Sequence, residues 1–145
     1  MSQKTDQATL MWWYQALLSS VRAKERDMTM RQVSVLMTVY MTDAPHTVRG
    51  LAQKLAVTKP VITRALDTLE AIGYVKRKKD EADKRSILIQ RTVKGAVYLS
   101  ELSDRILDAR NLEDDADEAA ESAGDNSLAT TDSAALHDTP LTNGQ

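Results

Sequence analysis

Between residues 48 and 72 the apolar positions repeat at helical spacing twice, with a short break between. Thr47 is placed to cap a first helix whose Val48, Leu51, Ala52 and Leu55 share one face. That helix stops at Ala56 and Val57. Thr58 offers a second cap, and Pro60 falls in the first helical turn, where its missing N–H costs nothing because that donor has no intrahelical partner. In this second helix Val61, Ile62, Ala65, Leu66 and Leu69 form the stripe to be buried, leaving Lys59, Thr63, Arg64 and Asp67 outward. Gly73 stands where a helix needs a left-handed residue to end.

The composition then turns to that of a strand. Residues 74–79 read as one arm of a hairpin and residues 86–89 as the returning arm, with Asp80, Glu81, Ala82 and Asp83 in the bend. Lys76, Arg77, Lys78 and Lys79 are consecutive cations on the first arm, and Lys84 and Arg85 follow the bend. A helix-turn-helix followed by a basic hairpin suits a surface that grips duplex DNA, the outward face of the second helix reading base edges in the major groove and the hairpin lying along phosphates. Thr63 and Arg64 are the first candidates for base contacts. Arg64 could equally neutralise a phosphate, and the sequence leaves both roles open.

Upstream, Thr29 and Gln32 have the spacing of a capping box that opens a helix over 30–41, with Val33, Leu36, Met37 and Tyr40 as its inner face. Before it, Leu10, Trp13, Tyr14, Leu17, Leu18 and Val21 make a broad apolar stripe flanked by Met11 and Trp12. Packing against the 30–41 helix is the expectation for Trp13 and Tyr14, and a subunit interface for Trp12. Downstream, a helix from Thr92 carries Val93, Ala96, Val97, Leu99, Leu102, Ile106 and Leu107.

The stretches Leu51-Ala52-Gln53-Lys54-Leu55, Thr63-Arg64, residues 69–75, residues 80–86 and Thr92-Val93-Lys94-Gly95 together resemble the MarR family of bacterial winged-helix transcription regulators, over roughly residues 29 to 107. The fold implied is mainly α, a winged helix-turn-helix with a two-stranded β-wing and with N-terminal and post-wing helices for dimerisation. The resemblance implies that Asp83 orients the wing by pairing with a basic neighbour, while Arg85, or Lys84 beside it, reaches the minor groove. The expected DNA-binding set is Arg49, Lys54, Thr58, Lys59, Pro60, Thr63, Arg64, Lys76, Lys78, Lys79, Asp83, Lys84, Arg85 and Lys94.

Members of the family continue into a further C-terminal helix that interlocks with a partner subunit, and here no second apolar helix follows. A homodimer therefore rests in expectation on Leu10, Met11, Trp12, Leu99, Leu102 and Ile106. The family also implies a small aromatic effector held between dimerisation and DNA-binding parts. Trp13, Tyr14 and Tyr40 are candidates to line such a cavity, and core packing explains them equally well.

Charge changes the picture. The net charge is only −2, but residues 1–110 hold all 19 Lys and Arg against 12 Asp and Glu, giving +7, whereas residues 111–145 hold none against 9 acids, giving −9. The expected organisation is a flexible lead-in over 1–7, one domain over 8–110, and an acidic disordered tail over 111–145, too poor in large apolar groups to offset the entropy of ordering. That tail is either a solubilising end or a competitor that folds over the wing.

Other chemistry finds little support. With no Cys there is no thiolate for redox sensing, and His46 and His137 are too few and too dissimilar in setting for a metal site. No glycine-rich phosphate loop and no nucleophilic Ser or His context is present, so no cofactor and no enzymatic role are expected. The apolar run near the N-terminus is too interrupted for a signal peptide or a membrane span, and a cytoplasmic location follows as an expectation. The rival reading is a winged-helix module for protein–protein interaction, whose basic face takes an acidic partner or the chain's own acidic tail.

Overall fold

A computed structural model gives the structure of residues 3–125. Five helices and one hairpin follow in the order α1 (Gln3–Arg22), α2 (Met30–Met41), α3 (Val48–Lys54), α4 (Lys59–Ala71), β1 (Val75–Lys79), β2 (Ile87–Arg91) and α5 (Val93–Asp125). Helices α2, α3 and α4 with the hairpin enclose one apolar core. Val35, Leu36, Val39, Leu51, Ile62, Leu66, Leu69 and Val75 are all at most 1% exposed, and Ile89, Tyr74 and Tyr98 close it from the wing and from α5.

Local chemistry sets the boundaries of these elements. At the start of α2 the Thr29 hydroxyl accepts the Gln32 N–H at 3.2 Å while the Gln32 side chain accepts the Thr29 N–H at 2.9 Å, the reciprocal capping box expected from the spacing. Thr47 caps α3 by accepting the Gly50 N–H at 3.0 Å. Thr58 has the extended backbone of an N-cap but makes no capping bond with its side chain. Gly73 takes φ +84°, and the Gly73 and Tyr74 N–H groups turn back to the Glu70 and Leu69 carbonyls, which ends α4.

The hairpin is antiparallel, pairing Val75 with Arg91, Arg77 with Ile89 and Lys79 with Ile87, so its returning arm runs two residues beyond the stretch expected from composition. Alternation does the rest. Val75 and Ile89 point into the core while Lys76 and Lys78 point out, and Lys79, on the register of Val75 but at the strand's far end, is exposed as well.

Three expectations are corrected. The inner face of α2 is Val35, Leu36 and Val39, with Met37 41% exposed, because α2 turns toward α4 and β2. Helix α1 lies along α5 instead of α2, with the small Ala16 and Ala109 buried and the two helices closely packed. Trp13 and Tyr14 consequently face outward, at 37% and 54% exposure, where core packing had been expected. Finally, α5 crosses the boundary drawn at 110/111 and stays helical to Asp125. The acids there sit among alanines, which are good helix formers, so low apolar content alone does not end a helix. Residues 126–145 and the first two residues of the lead-in lie outside the described residues.

Candidate nucleic-acid interface

The outward face of α4 is as expected. Lys59, Pro60, Thr63, Arg64 and Asp67 are exposed while Ile62, Ala65, Leu66 and Leu69 are buried beneath them. Thr58 precedes them at the exposed N-terminal end.

Arg77, in the midst of the wing's cations, is the residue that joins wing to helix. Its guanidinium lies 2.7 Å from Asp67 and 2.7 Å from Glu70, and donates a third bond to the Thr63 carbonyl at 3.2 Å, while its backbone N–H is accepted by Glu70 at 3.0 Å. Four bonds thus tie one strand residue to three residues of α4. The planar, forked guanidinium suits this, since it reaches two carboxylates and a carbonyl at once where an ammonium could not hold the same geometry. The Glu70 carboxyl is held below the usual carboxylate range, first by the Arg77 backbone N–H and then by its side chain. Burial works against the charge of Arg77, but its bonds to Asp67 and Glu70 outweigh it and raise its pKa. Sequence reasoning grouped Arg77 with its neighbours as one charge run. The signal that separates it is the pair Asp67 and Glu70 on α4, two acids one turn apart on a face otherwise cationic and polar.

The other wing cations are differently placed. Lys76, Lys79, Lys84 and Arg85 are exposed, and among the described residues their side chains have no ion pair or hydrogen bond; Lys78 has only a 4.0 Å contact with Glu81, both largely exposed. Such a pair contributes little. Asp83 does not pair with a basic side chain as the family pattern implies. Its two oxygens accept the Arg85 backbone N–H at 3.1 Å and the Ser86 hydroxyl at 3.1 Å, and its carbonyl accepts the Ser86 N–H at 2.8 Å. A short Asp side chain two residues before an N–H closes an Asx-type turn more readily than it reaches a distant ammonium, so Asp83 shapes the bend that aims Arg85.

Arg49, Lys59 and Arg85 come from α3, α4 and the wing, and all three line one hollow of about 300 Å³ together with Thr47, Ser86 and Ile87. No carboxylate lines it. Arg49 and Lys59 also border a second, more open groove between α3 and α4. Two expected contact residues sit apart from this surface. Lys54 donates to the Thr42 hydroxyl at 3.0 Å, and Lys94 lies over the Tyr74 ring, beside Gly73 at the far end of α4 from Lys59, roughly 18 Å along the helix at the usual rise per residue.

Behind the interface, Tyr40 fixes the root of the wing. Its hydroxyl accepts the Thr92 N–H at 2.8 Å and shares its proton between the Tyr74 carbonyl at 2.8 Å and the Thr92 carbonyl at 2.9 Å. Gly95 is required there, since a Cβ would collide with the Tyr40 hydroxyl and the Tyr74 carbonyl. Arg91 donates to the Val39 and Thr42 carbonyls at 2.9 Å each, covering the open C-terminal end of α2. His46 is buried beside this end of α2, its Nε2 without a hydrogen-bond partner among the described residues, and burial pushes its pKa below the ordinary 6.5.

With Tyr40 committed to the backbone and Trp13 and Tyr14 facing out on α1, these three do not form a shared cavity wall within one subunit. Of the expected dimer residues, Leu10 and Met11 are exposed and Trp12 is half-buried against Trp13 in an edge-on contact. Leu99 and Leu102 pack on the lobe's own core, and Ile106 is half-buried. The acids at 114–121 lie roughly 30 to 40 Å along α5 from its start. No helix among the described residues is long and apolar enough to cross a membrane.

Comparison with known proteins agrees with this geometry. A family model described as the MarR family matches residues 28–87, which is the stretch from the start of α2 to the returning strand of the wing. An uncharacterized HTH-type transcriptional regulator of Bacillus subtilis, YfiV, is 38% identical over 66 residues, covering 46% of this chain and 41% of its own length, so the chain spans about two fifths of the curated relative it matches. Among solved structures, a transcriptional regulator from Thermotoga maritima superposes with a TM-score of 0.57 at 22% identity, covering 86% of this chain and 84% of that one. The transcriptional repressor CouR, solved bound to a 23-mer DNA duplex, superposes with a TM-score of 0.58 at 20% identity, covering 86% and 89%. At these identities the structures speak for the fold, a mainly helical winged helix with a two-stranded sheet. Over the helix-turn-helix and wing, carried by that fold, residues 28–87 are similar to the MarR family.

Proposed function

We propose that this protein binds duplex DNA sequence-specifically and regulates transcription. Helix α4 enters the major groove with Thr63 and Arg64 on base edges and Thr58, Lys59 and Pro60 at its leading end, while the wing from Lys76 to Arg85 holds the flanking backbone and minor groove. Arg49 adds a phosphate contact from α3. The observation that carries this reading is the division among the wing cations: Arg77 is saturated by Asp67 and Glu70, and its neighbours Lys76, Lys79, Lys84 and Arg85 are left unpaired and exposed on the wing it fixes to α4. Phosphates would supply the missing counter-charge. The family match and the DNA-bound state of one structural neighbour support the same reading.

Dimerisation is part of the proposal. The exposed Leu10, Met11, Trp13, Tyr14, Leu17 and Val21 on α1 suit a second copy, and two α4 helices then lie about one helical turn apart, ~34 Å, on an inverted repeat.

Selection of duplexes from a random pool, followed by titration at several salt concentrations, tests the reading. An enriched inverted repeat whose affinity falls steeply with salt is the expected result. Arg64→Ala should then relax base preference, whereas equal loss on every sequence would reduce Arg64 to a phosphate contact. Failure to enrich any duplex would defeat the proposal and favour an acidic protein partner.

A further inference from the structure

The hollow between α3, α4 and the wing has a feature that general cation attraction does not explain. Arg49, Lys59 and Arg85 arrive from three separate elements, yet none of the three side chains has an ion pair or hydrogen bond among the described residues, and the lining includes no acid. Three like charges around one concavity repel one another unless an anion sits between them. Arg77, by contrast, is neutralised by two carboxylates.

Two hydroxyls complete the lining. Thr47 accepts the Gly50 N–H and so keeps its own O–H proton to donate, and Ser86 gives its proton to Asp83 and keeps lone pairs. Asp83 fixes the backbone of Arg85 and the side chain of Ser86 together, which places the wing's edge of the hollow. Ile87, 43% exposed, offers an apolar edge to a sugar.

We propose that this hollow is a single-phosphate clamp: Arg49, Lys59 and Arg85 close on one backbone phosphodiester, with the Thr47 hydroxyl as a further donor. This rests on the DNA-binding reading and sharpens it. Arg85 is then a phosphate ligand shared with the helix-turn-helix, leaving Lys84 for the minor groove. The clamp sets register, because one phosphate fixed by three elements allows α4 only one depth and phase in the major groove.

The test uses the duplex enriched by the full-length protein, rebuilt with a neutral methylphosphonate at one backbone position at a time. One position per half-site should weaken wild-type binding about tenfold. At that position Arg49→Ala, Lys59→Ala and Arg85→Ala should each lose most of this sensitivity while keeping it elsewhere, and combining any two should cost less than the product of their single losses. All three residues are exposed and unpaired, so unchanged melting serves as the folding control. Sensitivity to three different positions for the three variants would overturn the clamp, as would an Arg85→Ala loss reproduced by the minor-groove ligand netropsin and blind to every methylphosphonate. Failure of the underlying reading would look different, with no duplex enriched at all, and the clamp would fall with it.

Discussion

The lobe formed by α2, α3, α4 and the wing encloses an apolar core, whereas the α1–α5 arm leaves a row of apolar side chains exposed. In the lobe Leu36, Leu51, Ile62, Leu66 and Leu69 are fully buried, the helix ends are capped by Thr29, Gln32, Thr47 and Arg91, and Arg77 and Tyr40 tie the middle and the root of the hairpin to the helices. In the arm, Leu10, Tyr14 and Val21 are more than half exposed, as are Val93, Leu107 and Leu112 on α5, and the buried contacts include small residues such as Ala16 and Ala109. One salt bridge, Arg105 to Glu25 at 2.9 Å, ties α5 to the connection between α1 and α2. The difference separates two jobs. The proposed reading of a groove would need the lobe's internal rigidity, and the proposed dimer would cover the arm's open apolar face.

The largest effect that would sharpen this contrast is in the lobe core. Leu66→Ala should cost about 2–5 kcal/mol of unfolding free energy, measured by urea denaturation, because Leu66 is fully buried and the site is walled by rigid elements. A cost under about 1 kcal/mol would mean that the lobe is as loosely packed as the arm.

Next is Arg77→Ala. It strands Asp67 and Glu70 side by side without a counter-charge, but both are well exposed to water, so roughly 1–2 kcal/mol is expected in place of a buried-pair loss. DNA affinity should fall further than stability does, since the wing would swing free of α4. Loss of affinity with no increase in wing amide exchange would instead make Arg77 a direct contact.

Acid should reach the lobe before the arm. The folded pKa of His46 is depressed by burial, so the unfolded chain binds the proton more readily, and stability is full above 6.5 and declines as pH falls below it toward the folded value. Glu70 acts in the same direction at lower pH, because its depressed folded pKa stabilises the wing only while the carboxylate remains charged. His46→Asn should remove the first part of this decline in melting temperature between pH 7 and 5, and an unchanged slope would contradict it.

The smallest effect on the lobe should come from the arm. Changing Tyr14 and Leu17 to Ser should move lobe unfolding by no more than about 0.5 kcal/mol, as expected of surface positions. Light scattering should nevertheless show a shift from dimer toward monomer. A large loss of lobe stability without change in mass would mean that the stripe packs within its own subunit.

Much of the lobe was legible in the order of residues. Thr29 with Gln32, Thr47, Gly73 and the inward set of α4 act through bonds and spacings only a few residues long, and periodicity reports such effects directly. The basic wing was equally visible as a run of charges. What the run could not reveal was which cation is spent on structure, because Asp67 and Glu70 meet Arg77 only after α4 and β1 pack. The same holds for Asp83, whose partner turned out to be the backbone of its own bend.

The sequence by itself determined the element order, the starts of α2 and α3, the stop of α4, the outward face of α4 and the acidic end, since each follows from local propensity and composition. Tertiary structure alone decided that α1 lies on α5, that α2 turns Val35 and Val39 inward, that Tyr40 binds the backbone of both Tyr74 and Thr92, and that Arg49, Lys59 and Arg85 surround one hollow. These are contacts between residues that are distant along the chain. An apolar stripe states that a face will be covered, and only the packing of the other elements determines what covers it.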